Sequence, residues 1–243
     1  MFKVWIDAGH GGKDPGAVAY GLQEKDVALK VSLGIKERME AAYENVQVLL
    51  SRSTDVFLEL RERTSKANAA GADLLVSIHC NAGGGKGGFE SFRYTSASQN
   101  SIKLQDVLHK AVMAKLGGTD RGQKAQNLHM VRESKMPAVL TENLFVDVAA
   151  DADRLKQASV IDAIIEGHVQ GIVAYLGLKS KAKEVKTMTQ ERDINVPSMW
   201  AETTWKEVTE KGFFDGTRPG ALVTREELGA VVSRLLKYVD QIG

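Results

Sequence analysis

The chain has 243 residues, enough for one medium domain and an appendage. Its 32 Lys and Arg against 31 Asp and Glu leave a formal net charge of +1, which gives no electrostatic case for nucleic acid as a partner. A single cysteine excludes an internal disulfide framework, and no apolar run reaches membrane-spanning length.

Residues 2–6 read as a short buried strand that breaks into a Gly-Pro-rich loop, Asp7 to Ala17, carrying His10. With no signal-peptide pattern before that strand, the chain is expected to be made in the cytoplasm. His10 thus stands at the carboxyl end of a strand, where open α/β sheets place their ligands. Glu24 opens the next helix, with Val27, Val31, Ile35 and Met39 on one apolar stripe, so its carboxylate lies near the same sheet edge. Residues 46–50 predict a second strand, and Ser53-Thr54-Asp55 a turn capping a helix over about 58–70. Leu74 to Ile78 is a third, uninterrupted apolar strand, with His79-Cys80-Asn81-Ala82 at its carboxyl end. Neighbours on a strand point to opposite sides, so Cys80 reads as a small buried thiol beside a candidate ligand.

The glycine loop at 83–88 holds Lys86, but no Ser or Thr follows it and no helix opens there; a flexible loop beside the site is the expectation. Residues 89–94 alternate as a strand, where Glu90 is either a group supporting a metal site or an ion-paired strand carboxylate. A helix is expected over 98–116, a mobile loop at the cleft rim over 117–126, and last strands over 128–131 and 138–142. Helix residues Ile161, Ile165, Val169, Ile172 and Leu176 close the domain. His109 and His168 lie within helices and read as structural; His129, on an expected strand, would border a substrate.

Strands alternating with helices predict an α/β fold, a mostly parallel twisted sheet flanked by helices, over residues 1–178. Two strand-end histidines and a helix-start glutamate, His10, His79 and Glu24, fit a zinc site of three protein ligands with the fourth position left for water. Glu142, ending a further apolar strand, fits the general base beside that water. Residues 179–195 turn charged and polar, as a linker does, and 196–243 form a small helical unit. Its first helix, over 198–211, carries Trp200, Trp205 and Val208; Thr224 with Glu227 makes a capping box for the second.

Together Asp7-Ala8-Gly9-His10-Gly11-Gly12, Glu24, Leu60-Arg61-Glu62-Arg63, Ala67 to Asp73, Ser77 to Ala82 and Pro137 to Glu142 resemble the zinc-dependent N-acetylmuramoyl-L-alanine amidases of the amidase 3 family. The resemblance implies Zn2+ held by His10, Glu24 and His79, with Glu142 catalytic. It also implies hydrolysis of the amide joining N-acetylmuramic acid to L-alanine in bacterial peptidoglycan. One departure is Leu144, where family members usually carry glycine before the phenylalanine. The pattern Trp200-Ala201, Gly212, Asp215-Gly216, Pro219-Gly220 and Thr224 to Leu228 resembles one surface-layer-homology repeat, which implies a secondary cell-wall polymer as partner. Alternatively, Trp200 and Trp205 are simply the core of a helical hairpin. A hairpin this small is expected to dock, form a homodimer or bind wall polymer. Without a leader, such an enzyme would act as a phage lysin released through a membrane pore, or in mother-cell lysis. The alternatives are a zinc peptidase cleaving within the stem peptide and a noncatalytic wall-binding protein.

Overall fold

Strand order places both histidines at one break in a six-stranded sheet. The computed structural model describes residues 1–181, 202–214, 217 and 225–242. In chain order the first unit runs β1 (Phe2–Ala8), a small hairpin of β2 (Val18–Ala19) and β3 (Leu22–Gln23), α1 (Glu24–Ala42), β4 (Val46–Leu50), α2 (Leu60–Ala70) and β5 (Leu74–Asn81). It continues through β6 (Phe89–Arg93), α3 (Gln99–Leu116), β7 (Asp120–Ala125), α4 (His129–Arg132), β8 (Ala138–Phe145), α5 (Ala149–Leu155) and α6 (Ala158–Leu176).

The sheet order is β4-β1-β5-β8-β6-β7. β4, β1, β5 and β8 are parallel, while β6 runs antiparallel to β8 and carries β7 parallel to itself. The chain therefore leaves β1 towards β4 and returns past it to β5, so the strand order reverses between β1 and β5. Right-handed crossovers made in opposite directions put their helices on opposite faces. Accordingly Val27, Val31, Ile35 and Met39 of α1 pack with Val4, Ile6, Val76 and Ile78 on one face, joined by α3 and α6. Ala67 of α2 and Met130 of α4 pack with Trp5, Leu75, Phe92 and Leu140 on the other.

Several local expectations are corrected. Residues 117–126 are not a mobile loop but hold β7, whose polar sequence Asp120–Ala125 becomes a strand because β6 offers it a backbone ladder. Tertiary pairing overrides propensity on such edges. The expected strand over 128–131 is instead the single helical turn α4, in which the adjacent residues Met130 and Val131 are both buried. α2 starts at Leu60 without a side-chain cap. The expected capping turn faces the other way, Asp55 accepting hydrogen bonds from Gly12 N at 2.7 Å and Lys25 Nζ at 2.7 Å.

The chain divides into units Met1–Ala182 and Lys183–Gly243. Residues 179–181, expected in the linker, belong to the first unit: Glu44 N donates to Lys179 O at 2.9 Å and Lys181 N to Ala42 O at 2.8 Å. In the second unit α7 (Glu202–Glu210) and α8 (Arg225–Ile242) are both helical. Phe213 is buried edge-on to Tyr238, with ring centroids 5.4 Å apart, and Trp205 lies 5.1 Å from Phe214. Trp200, the turn at Asp215 and Gly216, and the capping residue Thr224 lie outside the described residues. Among the described residues no helix is long and apolar enough to cross a membrane.

Candidate metal centre

β1 and β5 end side by side, Ala8 in register with Ile78, and the loop after β1 turns back over that junction. His10 takes φ 56°, a left-handed conformation uncommon for any residue but glycine. Two arginines hold it there. Arg63, only 2% exposed, donates to Ala8 O at 2.5 Å, His10 O at 2.6 Å and Asp7 Oδ1 at 3.0 Å. Arg52 donates to Ala8 O at 3.0 Å and Gly9 O at 2.8 Å. Burial works to raise the Asp7 carboxyl, but the Arg63 guanidinium and the Ser77 hydroxyl outweigh it and hold it below the usual carboxylate range. Gly9 is required by close approach, since a Cβ there would stand 2.4 Å from Cε1 of His79.

Three donor atoms converge above this loop. His10 Nε2 lies 3.0 Å from Glu24 Oε1, His79 Nδ1 lies 2.9 Å from the same oxygen, and the two nitrogens are 3.2 Å apart. Tetrahedral zinc with ligand bonds of roughly 2.0–2.2 Å would set its ligands about 3.3 Å apart, and two imidazoles with one carboxylate are a zinc donor set. The residues therefore fit a zinc ion. Their supports fit it too. His10 Nδ1 donates to Asp14 Oδ2 at 2.8 Å, which leaves Nε2 to face the ion. Glu24 is steadied by Ala17 N at 2.9 Å and Cys80 N at 3.1 Å. Burial opposes charge on His10, yet the Glu24 and Asp14 carboxylates push its pKa up to about 9. Burial likewise works to raise Glu24, but the two imidazoles pull it below the carboxylate range. A divalent cation would take the place of those protons.

Glu142 sits directly opposite His79 in the β5–β8 register, within β8 rather than after it. It is half-buried, and its Oε2 is a buried oxygen with no hydrogen-bond partner among the described residues. Burial pushes its carboxyl up to about 7, with Glu24 and Glu90 adding to the rise and His79 opposing it. A cleft of about 280 Å³ opens beside His10 and His79, walled by Phe57, Leu58 and Leu60.

The N-acetylmuramoyl-L-alanine amidase family profile, Amidase_3, matches residues 4–174. The chain belongs to this amidase family. The endolysin of Bacillus phage SPP1 is 50% identical over 184 residues, covering 74% of this chain and 68% of that protein. The sporulation-specific N-acetylmuramoyl-L-alanine amidase of Bacillus subtilis (strain 168) is 44% identical over 179 residues, covering 74% and 70%. The solved catalytic domain of CwlV, an N-acetylmuramoyl-L-alanine amidase from Bacillus(Paenibacillus) polymyxa var. colistinus, matches with a TM-score of 0.70. It is 36% identical and covers 74% of this chain and 100% of that one.

The other three histidines each make a contact that ties elements of the fold together. His109 bridges Ser91 Oγ at 2.8 Å and Asp120 Oδ1 at 2.9 Å, around a serine with no exposure. His168 Nδ1 donates to Ile164 O at 2.7 Å while Nε2 meets Thr141 Oγ1 at 3.0 Å. His129, expected to border the substrate from a strand, pins α4 to α2 through Thr64 Oγ1 at 3.2 Å. Cys80 points into the core cluster, as alternation required. Glu90 is the ion-paired strand carboxylate, bound to Arg121 and Lys124. The glycine loop is anchored at its start, Asp147 Oδ2 accepting from Gly83 N at 2.8 Å and Gly84 N at 2.9 Å. Sequence reasoning gave no role to Asp14, Arg52 or Arg63. Asp14 had a signal, four residues after His10 in a tight Gly-Pro loop.

Proposed function

We propose that the chain is a zinc-dependent hydrolase of the amide between N-acetylmuramic acid and L-alanine in peptidoglycan, with His10 Nε2, Glu24 Oε1 and His79 Nδ1 as ligands. The observation that carries this reading is the convergence, on one sheet edge, of three metal donors with a Glu142 Oε2 that has no hydrogen-bond partner among the described residues. Bound zinc supplies Lewis acidity, lowering the pKa of a coordinated water to about 7 and polarising the scissile carbonyl. Glu142, with its own pKa near 7, takes a proton on Oε2 as water attacks and returns it to the departing alanine amine. Asp14 keeps the proton of His10 on Nδ1 throughout. Arg63 and Arg52 fix the loop, so the ligand rings need no rearrangement.

Digestion of purified wall tests the bond assignment. New alanine amino termini without new reducing ends are expected; free D-alanine, or cuts inside the stem, would transfer the site to a peptidase. The phage endolysin among the relatives supports action on the wall after release.

For the second unit we propose self-association or capture of a secondary cell-wall polymer. Leu228, Val232, Leu235 and Val239 of α8 are exposed at spacings of four, three and four, the seam spacing of paired helices. A chain ending at Lys181 should sediment as a smaller species or bind wall less. If neither changes, the unit has neither role.

A further inference from the structure

Across the crevice from the histidines stands a charged cluster that the proposed hydrolysis does not use. Glu90 on β6 is the Cα partner of Glu142 on β8. Directly opposed residues of an antiparallel pair project from the same face, so both carboxylates look into one crevice. Glu90 is buried and fully engaged: Oε1 accepts from Asn81 Nδ2 at 2.6 Å, and Oε2 from Arg121 Nε at 2.9 Å and from Lys124 Nζ.

Arg121 and Lys124 are three apart on β7, a spacing that sends side chains to opposite faces of a regular strand. A β-bulge changes their aim. Phe89 pairs with Asp120 and Ser91 with Gln123, so two residues, Arg121 and Gly122, oppose Glu90 alone. Gly122 absorbs the extra residue at φ 85°. Bulges beside active sites re-aim side chains in this way. The result is two cations converging on the one carboxylate of Glu90.

The cations are also presented outwards. The Arg121 and Lys124 side chains are 31% and 40% exposed. The Arg121 guanidinium lies over the Phe145 ring, 4.6 Å from its centroid. Among the described residues its salt bridge to Glu90 uses only Nε, leaving the paired terminal nitrogens to grip a planar anion.

We propose that Arg121, seconded by Lys124 and positioned by Glu90, reads a carboxylate of the peptide stem just beyond the alanine whose amide is cut. This rests on the amidase reading above and adds a side to it. The peptide lies towards β7, and the muramyl sugar is left to the cleft walled by Phe57.

The test uses a soluble substrate pair, N-acetylmuramyl-L-alanyl-D-isoglutamate and the corresponding isoglutamine, which share a γ-carboxylate and differ only at the α-group proposed for Arg121, carboxylate against amide. A charge-assisted hydrogen bond supports a preference of roughly tenfold to a hundredfold in kcat/KM for the acid. Because the contact is remote from the reacting atoms, the difference should lie mainly in KM. Arg121→Gln should collapse the ratio towards one, and Lys124→Gln should reduce it. Equal cleavage of both substrates by the unaltered enzyme overturns the carboxylate reading while leaving the amidase standing. A preference that survives in both variants also overturns it. Cleavage of neither substrate overturns the amidase reading itself, and this proposal with it.

Discussion

Arg63→Met is the most informative single perturbation of the site's framework. Asp7 and Arg63 are 1% and 2% exposed, so the ion pair between them is fully desolvated. Removing one partner of such a pair costs about 3–5 kcal/mol, mainly because the other charge is left buried and alone. The methionine also leaves the Leu58 and His10 carbonyls without the donors that now reach them at 3.0 and 2.6 Å. At roughly 2–4 °C per kcal/mol for a unit of this size, the melting temperature should fall by about 6–20 °C. Denaturant unfolding of Asp7→Asn, Arg63→Met and the double variant closes the cycle. Asp7→Asn removes the stranded charge, so the double variant should recover about 2 kcal/mol or more relative to the sum of the singles. Zinc content supplies the second readout. Arg63→Met frees the His10 carbonyl, and the Asn at position 7 cannot replace that donor, so stability should recover without zinc affinity recovering alongside it. Additivity within about 0.5 kcal/mol would show that the two side chains are not coupled. Full zinc affinity in Arg63→Met would refute its role in holding the loop.

Two other outcomes follow from named groups. Glu142→Gln keeps shape but cannot accept a proton, so hydrolysis should drop about 10²–10⁴-fold with zinc content and melting temperature nearly unchanged; loss of metal would make Glu142 a ligand instead. His168 is held neutral, burial pushing its pKa down from 6.5 to about 4, with the Ile164 carbonyl opposing. Between those values the unfolded chain binds more protons, so this contribution is whole above about pH 6.5 and is lost as pH falls towards 4, amounting to about 3 kcal/mol. The stability difference between the natural chain and His168→Gln should shrink over that window, and a difference independent of pH would refute the assignment.

How legible the site was depended on which strands carry it. β1, β5 and β8 are buried on both faces and read as continuous apolar runs, so His10, His79 and Glu142 stood out at or near their carboxyl ends. Glu24 was legible because it opens an amphipathic helix. The polar neighbours were harder. α2 reads as a solvated helix, Leu-Arg-Glu-Arg-Thr-Ser-Lys-Ala-Asn-Ala-Ala, yet it buries Arg63, Thr64 and Ala67 because it packs over the metal loop. Its buried stripe is made partly of charge that only the Asp7 carboxylate and the loop carbonyls satisfy, and no hydropathy pattern records that. β7 was missed for a related reason, since its own sequence is polar and its backbone ladder comes from β6.

The irregular backbone is where sequence and site meet most closely. Leu144 has no exposure and takes φ 70°. A bulky residue there costs about 1–3 kcal/mol, and burying a leucine side chain returns about 1.5–3 kcal/mol, so the two nearly offset. The position is forced by register: His79 pairs with Glu142 but Asn81 with Phe145, so β8 carries one residue more than β5 just past the proposed base. Asn143 Nδ2 donates to His79 O at 3.0 Å, Phe145 N to Asp151 Oδ2 at 3.0 Å and Val146 N to Asn81 O at 2.9 Å, which holds the bulge from three sides. Three left-handed residues, His10 in the loop after β1, Leu144 on β8 and Gly122 on β7, thus lie beside the crevice. Regular strands bring side chains to a sheet edge in alternating directions, and each of these three departures lies where a ligand, a base or a cation has to face the same opening.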